Sequence, residues 1–214
     1  MSNQDQNFEK ESNDVFAAEK LLSNALGGKS GFVDSGLPTL VFLSIWTFNG
    51  RVLQSALIAA GAVGVLLAIL RLLQKKSLQQ VLGGLIGLAV SAYFATRSGE
   101  AKDFFLPSIL KNLGYGSVIL LSIILRHPIV GYIVGGLKGD LTGWRKDPDL
   151  LKFYSLITWW WVGLFAVRLL FQIPLFLTNQ VQLLGTLNAT VLGFPIYLAV
   201  VWVTYRALKN RGIY

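Results

Sequence analysis

The sequence predicts an all-α polytopic membrane protein, a bundle of about six transmembrane helices of which the first is short. Three observations lead to this fold class. Hydrophobic residues make up 53% of the 214 residues and charged residues only 14%. The mean hydropathy is +0.56. Apolar runs recur after residue 36, and several approach the ~20 residues that a helix needs to cross a bilayer. A soluble core of this size does not need so many such runs.

A polar N-terminal tail at 1–33 precedes a transmembrane helical domain at 34–208. The tail carries eight charges among several Asn, Ser and Gly residues, a composition typical of disorder. No basic stretch precedes an apolar core and a cleavage site, so no secretory signal peptide is predicted. Residues 15–27 fit one short amphipathic helix on the membrane surface.

The first half of the helical domain contains three predicted spans. Asn49 and Gly50 favour a tight turn after the first span, and Ser77 suits the N-cap of the third. The first segment has about thirteen residues, ~20 Å of helix against a hydrocarbon core of ~30 Å. It either crosses with help from upstream residues or lies half-inserted. If it does not cross, the protein has five spans and the N-terminal tail lies outside the cell. The three segments lie at 37–49, 52–73 and 78–96.

The second half contains three further predicted spans, at 104–125, 154–177 and 185–205. Between the fourth and the fifth lies HPIVGYIVGGLKGD, which contains Pro128 and several glycines. Residues 128–138 are too few to cross a bilayer. They are therefore predicted to form a surface or re-entrant helix.

The basic residues predict the orientation, because cytoplasmic loops of membrane proteins carry an excess of Lys and Arg. With six crossings and both termini in the cytoplasm, fourteen of the nineteen Lys and Arg residues lie on the cytoplasmic side. Only Arg51, Arg97 and Lys102 lie outside, and Lys111 and Arg168 lie within spans. The net charge of +8 therefore indicates topology in a plasma membrane rather than a nucleic-acid partner.

Two segments begin alike, DSGLPTL at 34–40 and DFFLPSI at 103–109. Proline is tolerated in the first turn of a helix, and an aspartate before it favours the positive end of the helix dipole. Three spans separate the copies, so the second would be inverted, as in the 3+3 inverted repeats of transporters. The alternative is that Asp-x-x-Leu-Pro occurs twice only because it is a favourable start for a membrane helix.

Several kinds of site are excluded by residue content. The chain has no cysteine and one histidine, His127, which is interpreted as an interfacial side chain at the end of a span. Gly-rich phosphate loops, HExxH and paired acidic motifs are absent. No metal and no cofactor are therefore predicted.

Arg168 stands inside an otherwise apolar span, in TWWWVGLFAVRLLFQIPLFL. It lies ~21 Å from the inner end of that segment and ~13 Å from the outer end. An arginine near a helix centre costs about 2.5–3.5 kcal/mol on insertion scales. Gln172 is one turn further on the same face, and Trp161 and Phe165 continue the stripe inward. This face is predicted to point into the bundle.

The fourth span offers a second polar stripe at a similar depth, formed by Pro107 or Ser108 and then by Lys111, Asn112 and Tyr115. Carboxylates are absent from the predicted spans, and the nearest are Glu100 and Asp103. The candidate intramembrane polar site therefore consists of Arg168, Gln172, Lys111, Asn112, Tyr115, Asn188 and Asp103.

Three interpretations of Arg168 are open. In the first, Arg168 locks helices together by reaching Asp103, Asn112 or free carbonyl groups. In the second, Lys111 and Arg168 flank an anion, such as a lipid phosphate or a transported or sensed molecule. In the third, Arg168 only extends outward to the interface.

Four stretches carry a resemblance to known families: EAKDFFLPSILKN, RHPIVGYIVGGL, WRKDPDLLKFY and FAVRLLFQIPLFL. They resemble the actinobacterial integral membrane family called domain of unknown function 3159, and the likeness runs from about Gly28 to Arg206. That family has no established biochemical activity. The order of features is more distantly similar to intracellular septation protein A, a family linked to the cell envelope and the septum. The acidic tail and Arg168 depart from that second pattern.

The resulting prediction is an uncharacterised plasma-membrane protein of the cell envelope that is not an enzyme. It binds membrane lipids, such as an anionic headgroup, or partner proteins, as a homo-oligomer or in a larger complex. The alternative is a small transporter or channel with an anion site near Arg168 and Lys111. An enzyme ranks third, because acid–base chemistry needs a placed titratable pair, and the spans offer only Lys and Arg beside Tyr115.

Overall fold

The computed structural model describes residues 28–75 and 78–213 of the chain. Most of the predicted tail, the predicted amphipathic helix at 15–27 and the predicted cap Ser77 lie outside the described residues. The described residues contain helices and no strand, which confirms the all-α fold class. The eight α-helices are α1 Gly28–Phe48, α2 Leu53–Leu73, α3 Leu78–Ser98, α4 Leu106–Ile124, α5 Ile129–Leu137, α6 Pro148–Leu177, α7 Val181–Ala189 and α8 Phe194–Asn210, and the two 3-10 helices are Ala101–Phe105 and Gly143–Lys146.

Four helical stretches are long and apolar enough to cross a membrane, by length and composition. Leu53–Leu73 is the most apolar, with a mean hydropathy of 2.4, and only small shares of each stretch are buried inside the protein. Long apolar helices that are mostly exposed are typical of a membrane protein, because their outward-facing apolar surface needs a lipid environment. The four stretches are Leu53–Leu73, Val81–Ser98, Ala101–Ile124 and Pro148–Leu177.

The first helix is longer than the apolar segment 37–49 predicts. α1 has 21 residues, or about 32 Å at 1.5 Å per residue, because the helix continues upstream to Gly28. Pro38 consequently lies inside α1, whereas Pro107 lies in the first turn of α4. The prediction that Leu-Pro starts a helix is therefore wrong for Pro38 and confirmed for Pro107. A proline removes one hydrogen bond from a helix, but its φ is helical, so the chain on either side can stay helical.

The last predicted span, 185–205, is two helices instead of one. α7 ends at Ala189 and α8 begins at Phe194, with Pro195 in its first turn. Proline cannot donate a hydrogen bond to the preceding turn and disfavours helical backbone in the residue before it. The chain therefore breaks at 190–193 and restarts at a proline.

The fifth span starts earlier than the predicted position, 154. α6 begins at Pro148, and the carboxylate of Asp147 caps it by accepting hydrogen bonds from the backbone N–H groups of Asp149 at 2.8 Å and Leu150 at 3.3 Å. An aspartate at the N-cap followed by proline is a strong helix start. This signal is present in WRKDPD and extends α6 to 30 residues.

Two hydrophobic clusters organise the helices. One surrounds Phe42 of α1, whose ring stacks on Phe104 with centroids 4.2 Å apart. The other surrounds Trp144, which meets the ring of Tyr154 edge-on. α6 packs against α4, α5, α7 and α8, while α2 packs against α1 and α3. A cavity remains between these two groups of helices, and Arg168 of α6 lines it.

Candidate functional site

The polar face of α6 is buried. Arg168 is 7% exposed and Gln172 is 0% exposed, and Phe165 of the same face is buried as well. α6 therefore turns this face toward protein, which confirms the predicted direction of the stripe. The interpretation in which Arg168 only extends outward to the interface does not agree with this burial.

A chain of three amides joins α4, α6 and α7. Asn112 Nδ2 donates a hydrogen bond to Gln172 Oε1 at 2.8 Å, and Gln172 Nε2 donates to Asn188 Oδ1. The burial of Gln172 and Asn112 is thus matched by hydrogen bonds between helices. Asn112 Oδ1 and Asn188 Nδ2 remain without a hydrogen-bond partner. The chain therefore leaves one acceptor and one donor unused.

Among the side chains that the structure describes, those of 36–75, 78–79, 81–193 and 195–213, the Arg168 guanidinium has neither a hydrogen bond nor an ion pair. Its Cζ lies 5.0 Å from the centre of the Tyr197 ring, and its buried Nε has no partner. The predicted contacts of Arg168 with Asp103, Asn112 or free carbonyl groups are therefore wrong for the described part of the chain. The amide of Asn112 is bound to Gln172 instead, so that the guanidinium is left available.

A cavity of about 830 Å³ opens beside this guanidinium. Lys111 lines the same cavity as Arg168. This volume falls within the ~300–1,000 Å³ of small-molecule sites. The described residues that line the cavity include no Asp, Glu or His. Its polar lining near Arg168 consists of Ser108, Lys111, Asn188 and Tyr197.

The N-terminus of α8 faces the same cavity. Gly193, the N-cap residue of α8, lines the cavity, and no side chain caps this helix end. The N-terminus of a helix carries a partial positive charge and free backbone N–H groups. The break between α7 and α8 thus adds a third positive element beside the two cations.

Two predicted site residues lie outside this arrangement. Tyr115 is 54% exposed and packs edge-on against Phe165 at 6.0 Å. Asp103 lies half-buried in the first 3-10 helix, and neither residue lines the cavity. The other five, Arg168, Gln172, Lys111, Asn112 and Asn188, are brought together.

Two residues of the site are missing from the sequence prediction, Tyr197 and Gly193. A glycine and a proline inside the apolar segment, at 193 and 195, are the signal that could identify them. Interrupted hydrophobic segments in membrane proteins point to binding sites, because the broken helix ends face a ligand.

The site as a whole offers hydrogen-bond donors and positive charge. Arg168 Nε and Asn188 Nδ2 are unused donors, Lys111 adds a flexible ammonium group, and α8 adds its N-terminus. Phosphate and carboxylate oxygens are the groups that such donors bind best. The arrangement is chemically suited to holding an oxyanion. The described lining residues include no carboxylate that could pair with the cations in its place.

Comparison with known proteins gives one match. A family model described as "Protein of unknown function (DUF3159)" matches residues 26–212. No curated protein and no solved structure matches the chain.

Proposed function

Because the chain belongs to the family of proteins of unknown function DUF3159, which supplies no activity, we propose from its geometry that it is a non-enzymatic membrane protein that binds an anionic group inside its helical bundle. The anion accepts hydrogen bonds from Arg168 and Asn188 and is attracted by Lys111. Phosphate and carboxylate groups share this chemistry.

One observation carries this proposal, the buried Arg168 without a counter-charge. A guanidinium that is buried inside a membrane protein normally pairs with a carboxylate or with backbone carbonyls, because the cost of burying the charge is otherwise large. Arg168 has neither among the described side chains, its Nε is buried without a partner, and the residue lines the cavity. A bound anion offsets the cost and uses the donors that the protein leaves free.

Binding without catalysis is supported by the lining residues. General acid–base chemistry requires a group that gains or loses a proton near neutral pH. The described lining contains no carboxylate and no imidazole, and its ionisable groups are Lys, Arg and Tyr. These side chains suit recognition of an anion better than proton transfer.

A second candidate is transport of the anion across the membrane. The break between α7 and α8 favours it, since discontinuous helices place their ends at the substrate sites of transporters. Flux of a labelled anion in proteoliposomes distinguishes the two candidates. Transport requires flux that falls when Arg168 is replaced, whereas a binding protein shows binding without flux.

The test is native mass spectrometry of protein extracted with its surrounding lipid, for the wild type and Arg168→Gln. We expect an anionic species on the wild type and at least about tenfold lower occupancy on the variant, because hydrogen bonds to charged groups contribute about 1.5–3 kcal/mol. The matched control is Arg206→Gln, since Arg206 also stacks on an aromatic ring, Trp202 at 5.2 Å, but lies outside the cavity. Equal occupancy in Arg168→Gln and Arg206→Gln would refute the proposal.

A further inference from the structure

We infer that the ligand of this site is an anionic amphiphile whose apolar chain lies in a groove along α3. This inference rests on the proposed function, because it places the charged end at Arg168 and Lys111. It adds the chemical class of the rest of the ligand, a long hydrocarbon chain.

The groove is the extension of the same cavity along α3. Gly83, Gly84 and Gly87 line it, and a Cβ atom at any of the three would meet no other atom within 4 Å. The opposite situation holds at Gly64 of α2, where a Cβ would collide with the side chain of Leu88. The contact between α2 and α3 is therefore filled at Gly64, and open space borders the three glycines of α3.

The groove is long enough for a hydrocarbon chain and is longer than a compact anion needs. It extends along α3 from Ser91 to Val81, ten residues or about 15 Å of helix. Ser91 lies seven residues before the end of α3 and Lys111 lies five residues after the start of α4, so both lie within two turns of the segment that connects these helices. Arg168 and Lys111 are therefore at one end of the groove, whereas Arg71, in the last turn of α2, lines the cavity toward the Val81 end.

The walls of the groove suit hydrocarbon. Apolar side chains line most of it, and they come from three helices: Leu67 and Ala68 of α2, Leu85 and Val90 of α3, and Phe104 and Phe105 ahead of α4. Polar side chains are most numerous beside Arg168, and Thr39, Ser91 and Arg71 line the cavity as well. A ligand with one anionic end and one long apolar end matches this distribution, because the apolar part gains by leaving water and the charged part gains from the cations.

The groove is also accessible from the side. The three glycines are exposed, and only 11% of the α3 window is buried. α3 is one of the helices apolar enough to cross a membrane, so that its exposed face meets lipid. An amphiphile can enter the groove laterally from the bilayer, with its charged end moving toward Arg168. A small soluble anion would leave this groove unused.

The experiment measures equilibrium binding of ³²P-labelled inorganic phosphate, butyl phosphate and dodecyl phosphate to protein in amphipol. Gly87→Phe places an aromatic ring in the groove without a clash at Cβ. Gly163→Phe is the matched control, since a Cβ at Gly163 also meets no atom within 4 Å and Gly163 lies outside the cavity. Uptake of the alkyl chain by the amphipol is common to both variants and the wild type.

We expect dodecyl phosphate to bind the wild type more tightly than inorganic phosphate. Gly87→Phe should weaken dodecyl phosphate about tenfold, because excluding even two methylenes from the groove has that effect, and should leave inorganic phosphate unchanged. Gly163→Phe should match the wild type. Gly84→Leu provides a second block of the groove in case Gly87→Phe does not fold.

Two results would overturn the inference, and they are distinguishable from failure of the proposed function. If Gly87→Phe and Gly84→Leu bind dodecyl phosphate as tightly as Gly163→Phe does, the alkyl chain of the ligand does not lie in the groove along α3. If binding depends on Arg168 but not on chain length, the site holds a soluble anion and the proposed function stands alone. If Arg168→Gln changes the binding of none of the three probes, the anion site itself is wrong.

Discussion

Gln172 illustrates how one side chain connects three helices. Its amide accepts from Asn112 of α4 and donates to Asn188 of α7, and the residue is fully enclosed. In a membrane protein the driving force for helix association comes from packing and from hydrogen bonds of this kind. Asn188 lines the same cavity as Arg168, so that stability and the proposed anion site both involve the amide of Gln172.

Replacing Gln172 with leucine should therefore destabilise the bundle. Gln172→Leu leaves Asn112 Nδ2 and Asn188 Oδ1 unpaired, and we expect a loss of about 1–3 kcal/mol for the two hydrogen bonds. The measurement is reversible unfolding in mixed micelles of increasing denaturing detergent. Gln182→Leu is the control, because Gln182 is exposed and makes one side-chain hydrogen bond, to Thr47. The expectation fails if both variants are equally stable.

Helix packing in this protein depends on where the glycines lie. α4 approaches α6 closely at Gly116, where a Cβ atom would lie 3.1 Å from Phe165 Cβ. Two residues earlier, at Gly114, a Cβ would meet no atom within 4 Å. The two glycines are on the same helix and differ only in the face they occupy. Small residues at such contacts allow the backbones of membrane helices to come close.

We expect Gly116→Leu to destabilise the α4–α6 contact and Gly114→Leu to have little effect. The larger side chain at 116 must displace Phe165 or separate the helices, and overpacking of this kind costs about 1–3 kcal/mol. Unfolding in mixed micelles compares the two variants directly. A loss of stability in Gly114→Leu as large as that in Gly116→Leu would contradict this expectation, because leucine is a better helix former than glycine at either position and only the α4–α6 contact distinguishes the two.

The number of crossings is a property of the whole molecule, and it depends on α1 and on the α7–α8 pair. α1 has enough length only with its upstream residues, and its apolar part is the shorter Gly36–Phe48. The predicted cytoplasmic location of both termini stays a prediction that follows from the positions of Lys and Arg. The predicted 3+3 inverted repeat and the predicted homo-oligomer or larger complex are likewise untested.

Single introduced cysteines should report the topology, since the chain has no native cysteine. We expect Ser2→Cys and Gln74→Cys to be protected from a membrane-impermeant maleimide in intact cells, because α1 and α2 together return the chain to the side where it began. Glu100→Cys should be labelled. If Ser2→Cys is labelled together with Glu100→Cys while Gln74→Cys is not, α1 does not cross and the tail is outside.

The sequence by itself determined the helical membrane class, the approximate positions of the apolar helices and the inward direction of the Arg168 face. These properties depend on composition and on spacing within one helix, which are local and can be counted along the chain. The tertiary structure alone decided which polar groups meet. The amides that pair are 60 and 16 residues apart in sequence. The absence of a counter-charge at Arg168 among the described side chains, the nearby ring of Tyr197 and the groove along α3 arise only when separate helices pack. A contact between distant residues is set by the packing of whole helices, which the pattern within any one of them does not specify.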